Sequence, residues 1–427
     1  TYRVKDLILD GKKVRGNKCR FRPSANARWL WRLTGFEPEI TGFGAEDYTD
    51  TLVRKTTLPA GVTSGASTFS VASEAGLEKG MLATVLMVNG RWHISPITAV
   101  VGKVITVARA FEADAASGAS VECSWGEINI RNATNEVVAD FMMLNTSFGI
   151  YKDADVALGS ANTRGMLLDG RMSGVKHVGI FIGRDCADSR YLNNFIRGGV
   201  TANWNYTSDG VTDTFDLPIA AWLKRDVTIT VDGVTQTQGV HYNVASTTQV
   251  QFVSGNVPDV CATVVVSNFY DGKAGYVSDA TGWASIRGGD FVSTVETLDF
   301  IRGIEFHSKE LVSLDQITSD TCSGEALYIS DTCDKITFND LFAGYSHLPI
   351  RIAGNSANIE LAGPLWTTIV PESSALVTPS SSAIQVDSGS ILDIDTAAWK
   401  RSANKTTSGA GVINYMGAVE LRLGSQT

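Results

Sequence analysis

The sequence has little of what marks most enzyme families. No Gly-x-x-x-x-Gly-Lys loop, His-Glu-x-x-His pair or Gly-x-Ser-x-Gly elbow occurs in its 427 residues. Readings that need those spacings to cradle phosphate, hold zinc or expose a serine are therefore set aside. The five histidines (His93, His177, His241, His307, His347) show no metal-ligand spacing, so no metal site is expected. The six cysteines are scattered without paired spacing, which excludes a disulfide scaffold and suits reduced thiols made in a cytoplasm. Proline is scarce at 10, and charged residues make up 19%, below the roughly 25% of ordinary globular chains. A basic excess is missing as well: the net charge is −9, which argues against nucleic acid as the main partner. Met81 to Val88 is among the longest apolar runs, too short to span a bilayer, so no membrane insertion is expected. No signal peptide is visible, and the opening on Thr1 leads us to expect a fragment of a longer protein. Long amphipathic helices are absent; only Ala45 to Leu52 and Ala220 to Lys224 are expected to form short helical pieces.

What is there is glycine, 41 residues of it, and a core-building apolar fraction of 44%. The pattern is β. Leu82 to Val88, Asn89-Gly90 and Arg91 to Ile97 read as a hairpin, as do Val227 to Val231, Asp232-Gly233 and Val234 to Thr237. A faint repeat recurs with a spacing near 23 residues, in Gly303–Ser308, Ala326–Asp331 and Pro349–Gly354. Ile304, Leu327 and Ile350 fall in register, as do Phe306, Ile329 and Ile352. A second strand recurs with a one-residue slip at Val312–Leu314, Ile336–Phe338 and Ile359–Leu361. One such coil cannot bury its inward side chains, whereas stacked coils bury a continuous column. The fold expected is all-β, a right-handed parallel β-helix, the hand following from the chirality of parallel crossovers. Two blocks interrupt the repeat. The expected organisation is β-helix over 1–43, an inserted β-rich domain over 44–127 and β-helix over 128–200. A second inserted β module over 201–270, β-helix over 271–370, and a linker with a terminal β segment over 371–427 complete it. Insertions of this kind cost little, because loop-closure entropy grows slowly with length.

The register predicts a ladder. With Ile304 and Phe306 inward, Glu305 points outward, and Tyr328 and Arg351 stack above it on successive coils. His307 leads into the turn beside Glu305, and Ser308 aligns with Asp331. Neighbouring coils lie about 4.8 Å apart, a separation that suits the paired carboxyls of glycan hydrolysis. Glu305 and Asp331 are thus candidate acid and base or nucleophile, with Asp299 and Asp315 on flanking segments. Tyr328, Arg351 and His307 are candidates for positioning sugar or carboxylate. The plain alternative is a solvated polar face. A second candidate cluster is the turn Gly183–Tyr191, with Asp185, Asp188, Arg184 and Arg190; its alternative is charges that pair among themselves. Aromatic platforms for sugar rings are sought at Trp283, Tyr345, Trp204 and Trp222, with Trp283 favoured for its place after a Gly- and Asp-rich turn. A basic stretch from Lys12 to Arg32 has no acid between Gly11 and Phe36, and suits an acidic glycan or an acidic neighbouring subunit.

The words Met166-Leu-Leu-Asp-Gly170, Gly179-Ile-Phe-Ile-Gly-Arg-Asp185 and Asn194-Phe-Ile-Arg-Gly-Gly199 resemble bacteriophage tailspike and tail-fibre proteins with a parallel β-helix body. Asp209 to Pro218, Val227 to Gly233 and Gly239 to Val244 resemble a small β module of phage tail fibres, here lying inside the repeat. The resemblance implies a homotrimer in the virion tail, attached to other tail proteins. It implies recognition of a bacterial surface polysaccharide, capsule or O-antigen. No cofactor is expected. Members cut the glycan as endoglycosidases or as lyases, or only bind it. A hydrolytic depolymerase is the function expected. A non-catalytic receptor-binding fibre, a lyase on the same scaffold and a structural spacer are the alternatives.

Overall fold

A computed structural model describes residues 2–47, 49–153, 162–184, 186–187, 189–217, 221, 223–281, 289–371, 375, 379–395 and 407–416. Its body is a stack of coils, each contributing strands to two large parallel sheets, which among the described residues have 13 and 15 strands. This is the parallel β-helix expected from the repeat. Ile304, Leu327 and Ile350 pair in register, as do Glu305, Tyr328 and Arg351. On the other sheet Val312, Ile336 and Ile359 pair as the one-residue slip requires.

The inward column is longer than the repeat seen in the sequence. It runs Ile128, Ile150, Ile180, Tyr276, Ile304, Leu327, Ile350 and Ile384, each paired with the next. All eight are buried. Burying one such side chain contributes about 1.5–3 kcal/mol, so the column is a main source of stability. One register position along, Gly149, Gly179, Gly275 and Gly303 form a second column. A Cβ on each would sit 2.3, 2.6, 2.7 and 2.9 Å from the carbonyl of the next coil, so only glycine fits.

The 15-stranded sheet bends along a line of left-handed residues at Asp140, Asp169, Asn193, Thr294 and Gln316, with φ of 49–54°. Asp and Asn tolerate this region because their short polar side chains bond locally. Here they bond along the stack: Asn193 Nδ2 donates to Asp169 Oδ1 at 3.0 Å, and Thr294 to Gln316 at 3.3 Å.

Two groups of antiparallel strands project from the stack. The first follows Glu39–Glu46 and comprises Arg54–Thr57, Thr68–Ser70, Leu82–Leu86, Trp92–Val101, Val104–Val107 and Ser120–Ser124. Its hairpin pairs Leu86 with Trp92 around Asn89-Gly90. The second lies between Arg190–Gly198 and Gly272–Asp279 and forms two small sheets, with Asp232-Gly233 turning the hairpin that pairs Val231 with Val234. Ala45 and Glu46 end a strand rather than opening a helix, because they continue the pairing Ala45–Met143 and Glu46–Leu144. Ala220 lies outside the described residues; among the described residues that follow it, Lys224–Asp226 forms a single 3-10 turn.

The first group packs flat on the outward face of the 13-stranded sheet. Its Met87, Ile94 and Val121 share an apolar cluster with Phe148, Tyr151, Phe181 and Val277 of the coils. This explains why Val178–Ile182 is buried along its whole length instead of alternating.

Phe306 packs between Tyr276 and Phe338 at ring distances of 6.0 and 6.3 Å. Phe306→Ala is expected to lower stability by about 3–5 kcal/mol in denaturant unfolding. Val211→Ala, at a side chain 82% exposed, should change it by less than about 0.5 kcal/mol.

Candidate functional site

The ladder of Glu305, Tyr328 and Arg351 faces outward, as the alternation predicts. At Glu305 and Tyr328, however, outward means beneath the first inserted group. Glu305 is 0% exposed, and Arg302, beside it, is 1% exposed. The Arg302 guanidinium bonds Glu112 of the insert at 2.8 and 3.2 Å, Glu325 at 3.1 Å and Glu305 at 3.4 Å. Its carbon stands 4.0 Å from the centre of the Tyr328 ring. Arg91 of the insert reaches Glu325 at 2.9 Å, and Arg109 of the insert lies 3.3 Å from Asp279 and 3.8 Å from Asp331.

His307 joins the two expected carboxyls. Nε2 is 2.9 Å from Glu305, and Nδ1 is 2.7 Å from Ser330 Oγ and 3.2 Å from Asp331. Burial and the charge of Arg109 work against the imidazolium. Hydrogen bonds to Asp331 and Glu305, with the charge of Asp279, overcome them and raise His307 to about 9. Burial likewise works against ionised Asp331, and His307, Arg109 and Ser330 hold it down at about 2. The cluster is a set of matched charges closed off from solvent at Glu305. Its chemistry is to clamp the insert to the coils.

The remaining expected residues are dispersed. Arg351 is half-buried and bonds Asp387 at 2.8 Å. Asp299 bonds Arg197 at 2.8 Å. The Tyr345 ring lies under Arg225 at 5.2 Å. Trp204 is exposed on the second inserted group. Asp185, Asp188, Trp222 and Trp283 lie outside the described residues.

A larger site lies elsewhere. A cleft of about 660 Å³ opens where the two inserted groups meet the coils. The first group supplies Lys55, Trp92 and Glu122, the second Tyr270, and the coils Lys176, His177, Asp271 and Lys273. Asp50, on the way into the first group, completes it. Asp50 bonds Lys176 at 2.6 Å, Lys55 at 3.2 Å and the Ser147 hydroxyl. Burial opposes its ionisation, but Lys176, Ser147 and Lys55 hold it at about 2. Glu122 bonds Lys273 and lies 3.0 Å from His177. Burial is again overcome, by His177 where its imidazole carries a proton and by Lys273 and Lys55 throughout, and Glu122 also falls to about 2. Burial and the charge of Lys273 push His177 down to about 3, so it is neutral at pH 7. Lys273 donates to Thr84 at 3.0 Å and stands 3.5 Å over the Trp92 ring.

Asp271 behaves in the opposite way. Burial raises it to about 7; hydrogen bonds from Ser323 pull it down, and the nearby charges of Asp226 and Asp299 add to the rise. The backbone N–H of Ser323 donates to its Oδ2 at 3.1 Å. Asp299 belongs to the adjacent coil, its carbonyl accepting from Gly272 N–H at 3.0 Å. One cleft thus holds a carboxyl that titrates near neutral pH and two that stay ionised. That split separates a general acid from a base or nucleophile. Sequence reasoning missed Asp271, which reads as half of an Asp-Gly turn. The available signal was position: Lys55, Trp92 and Tyr270-Asp271 all sit in or beside the inserted groups.

No family model and no curated protein matches the chain in sequence. Solved structures similar to it are phage proteins. The Gp54 tailspike of Acinetobacter baumannii bacteriophage AP22, in complex with A. baumannii capsular saccharide, matches at 8% identity and a TM-score of 0.24 over 96% of this chain and 64% of that one. The tailspike protein gp49 of Pseudomonas phage LKA1 matches at 11% and 0.24, over 97% and 67%. The receptor-binding protein of bacteriophage Det7, a podoviral tailspike in a myovirus, matches at 9% and 0.29, over 100% and 73%. The chain spans 64% of the first of these. At these identities and TM-scores, the site stands on its own residues.

The clamp predicts a pH dependence. His307 titrates near 9 in the folded protein against an ordinary value of 6.5, so its stabilisation is complete below pH 6.5 and is lost as pH rises toward 9. The stability difference between the native protein and His307→Gln should therefore be largest at pH 6. It should shrink by up to about 3 kcal/mol by pH 9, as read by denaturant unfolding at each pH.

Proposed function

We propose that the chain is the body of a bacteriophage tailspike that binds and hydrolyses a bacterial surface polysaccharide, capsule or O-antigen, at the cleft between its two inserted groups. The observation that carries this reading is the split within that cleft: Asp271 raised to about 7, with Glu122 and Asp50 held at about 2.

In this reading Asp271 is the general acid. It protonates the glycosidic oxygen as the bond to the sugar lengthens. Glu122 is the partner carboxylate, acting as base or nucleophile on the opposite side. Lys273 supports the assignment, because it stands two residues from Asp271 and bonds Glu122. Trp92 and Tyr270 offer ring faces to the C–H faces of the glycan. Glu305, His307, Asp331, Arg302 and Tyr328 hold the first inserted group in place, so the cleft keeps its far wall. The chain acts as a homotrimer in the virion tail, joined to other tail proteins, with no cofactor.

The test is polymer length. The protein is incubated with a panel of bacterial capsules and O-antigens, followed by gel filtration and mass spectrometry. The expected result is shortened chains whose fragments are whole repeats plus water. Asp271→Asn should slow cleavage by about 10²–10⁴-fold while binding persists. Cleavage should fall as pH rises past about 7, because the acid must carry its proton. Fragments lacking that water, with a new ultraviolet-absorbing double bond, would assign a lyase and make Lys273, brought down to about 8 chiefly by burial, the base to examine. Bound but unshortened polymer would leave a receptor-binding fibre.

A further inference from the structure

The cleft is built around cations as well as carboxyls. With His177 neutral, its charged lining is three ammoniums, Lys55, Lys176 and Lys273, against two carboxylates, Asp50 and Glu122, while Asp271 gains its proton near pH 7. Below pH 7 the sum is one positive charge, in a chain whose net charge is −9. The sharing is uneven. Lys273 is buried and committed, to Thr84 and Glu122. Lys55 and Lys176 share Asp50, at 3.2 and 2.6 Å, and Lys55 stands 4.0 Å from Glu122. An ammonium has three N–H donors, and one carboxylate does not satisfy two ammoniums. The Lys55 side chain is 54% exposed and that of Lys176 is 16% exposed, so both reach the open space.

We propose that this cleft selects a glycan carrying a carboxylate, as in a uronic acid or another acidic sugar, with Lys55 and Lys176 closing on that group opposite Asp50. The inference rests on the cleft being the glycan site. It adds that neutral polysaccharides are poor ligands. A carboxylate cancels the unbalanced charge and occupies N–H donors that a hydroxyl fills weakly, since charge-assisted hydrogen bonds are about twice as strong as neutral ones. Asp50 is then a positioning residue: it holds both ammoniums facing one point. Trp92 lies under Lys273 at 3.5 Å and fixes the adjoining wall.

The test uses the full chain carrying Asp271→Asn, so that binding is read without cleavage. Calorimetry is run against a panel of acidic and neutral capsules and O-antigens. For each acidic polymer bound, the same polymer is also measured after chemical reduction of its carboxylates to alcohols. The expected result is binding of acidic polymers only, weakened about 10- to 100-fold by carboxyl reduction. Raising salt from about 0.05 to 0.5 M should weaken it too. Lys176→Met should weaken binding by about 10-fold, and Lys176→Arg should restore most of it; unfolding midpoints equal to that of the parent exclude a folding defect. Equal affinity for native and reduced polymers, or binding of neutral polymers alone, overturns the charge selection while leaving the depolymerase reading in place. Binding to no member of the panel removes both.

Discussion

The structure depends on one guanidinium. A β-helix by itself exposes every second residue of its strands, and such a face is ordinarily solvated. Arg302 breaks that rule. It is buried on the outward face of the 13-stranded sheet, where three carboxylates and a phenol ring surround it. One of those carboxylates, Glu112, comes from the inserted group. Removing a charge from water costs several kcal/mol, so the arrangement persists only because every partner is present at once. The consequence is positional. The insert is held against the coils by directional bonds at Arg91, Arg109 and Glu112, added to a non-directional apolar contact. The walls of the cleft are therefore fixed before any ligand arrives.

Much of the fold was legible because a β-helix is nearly one-dimensional. Ile304, Leu327 and Ile350 announce a coil of constant length, and pairing between adjacent coils follows from strand alternation alone. The outward ladder of Glu305, Tyr328 and Arg351 was legible for the same reason. What covers it was not. The contact of Glu112 with Arg302 joins residues 190 apart in sequence, and no local pattern states that an inserted group folds back onto the coil face rather than away from it. The same outward Glu, read as a groove carboxylate, becomes an interior anchor once the insert lands on it. The early coils were partly hidden too. Tyr276 stands where its neighbours carry Ile, and the second insert separates it from Ile180 in sequence.

The cleft follows from the two insertions together. The cleft draws on all three parts: Glu122 and Trp92 come from one inserted group, Tyr270 from the other, and Asp271, Lys176 and Lys273 from the coils between. Their chemistry diverges because their surroundings do. Asp50 and Glu122 are half-buried against lysines and stay ionised; Asp271 is half-buried toward Asp226 and Asp299 and titrates near 7. Three carboxyls of one ordinary kind thus acquire two different roles through position alone.

The most direct measurement is a crystal structure of the Asp271→Asn protein soaked with an oligosaccharide from a polymer it binds. The account predicts sugar density in the cleft, stacked near Trp92 or Tyr270, with an acidic group between Lys55 and Lys176. Density confined to the opposite face, in the shallow groove of Arg171, Phe195 and Glu296 on the 15-stranded sheet, would contradict it.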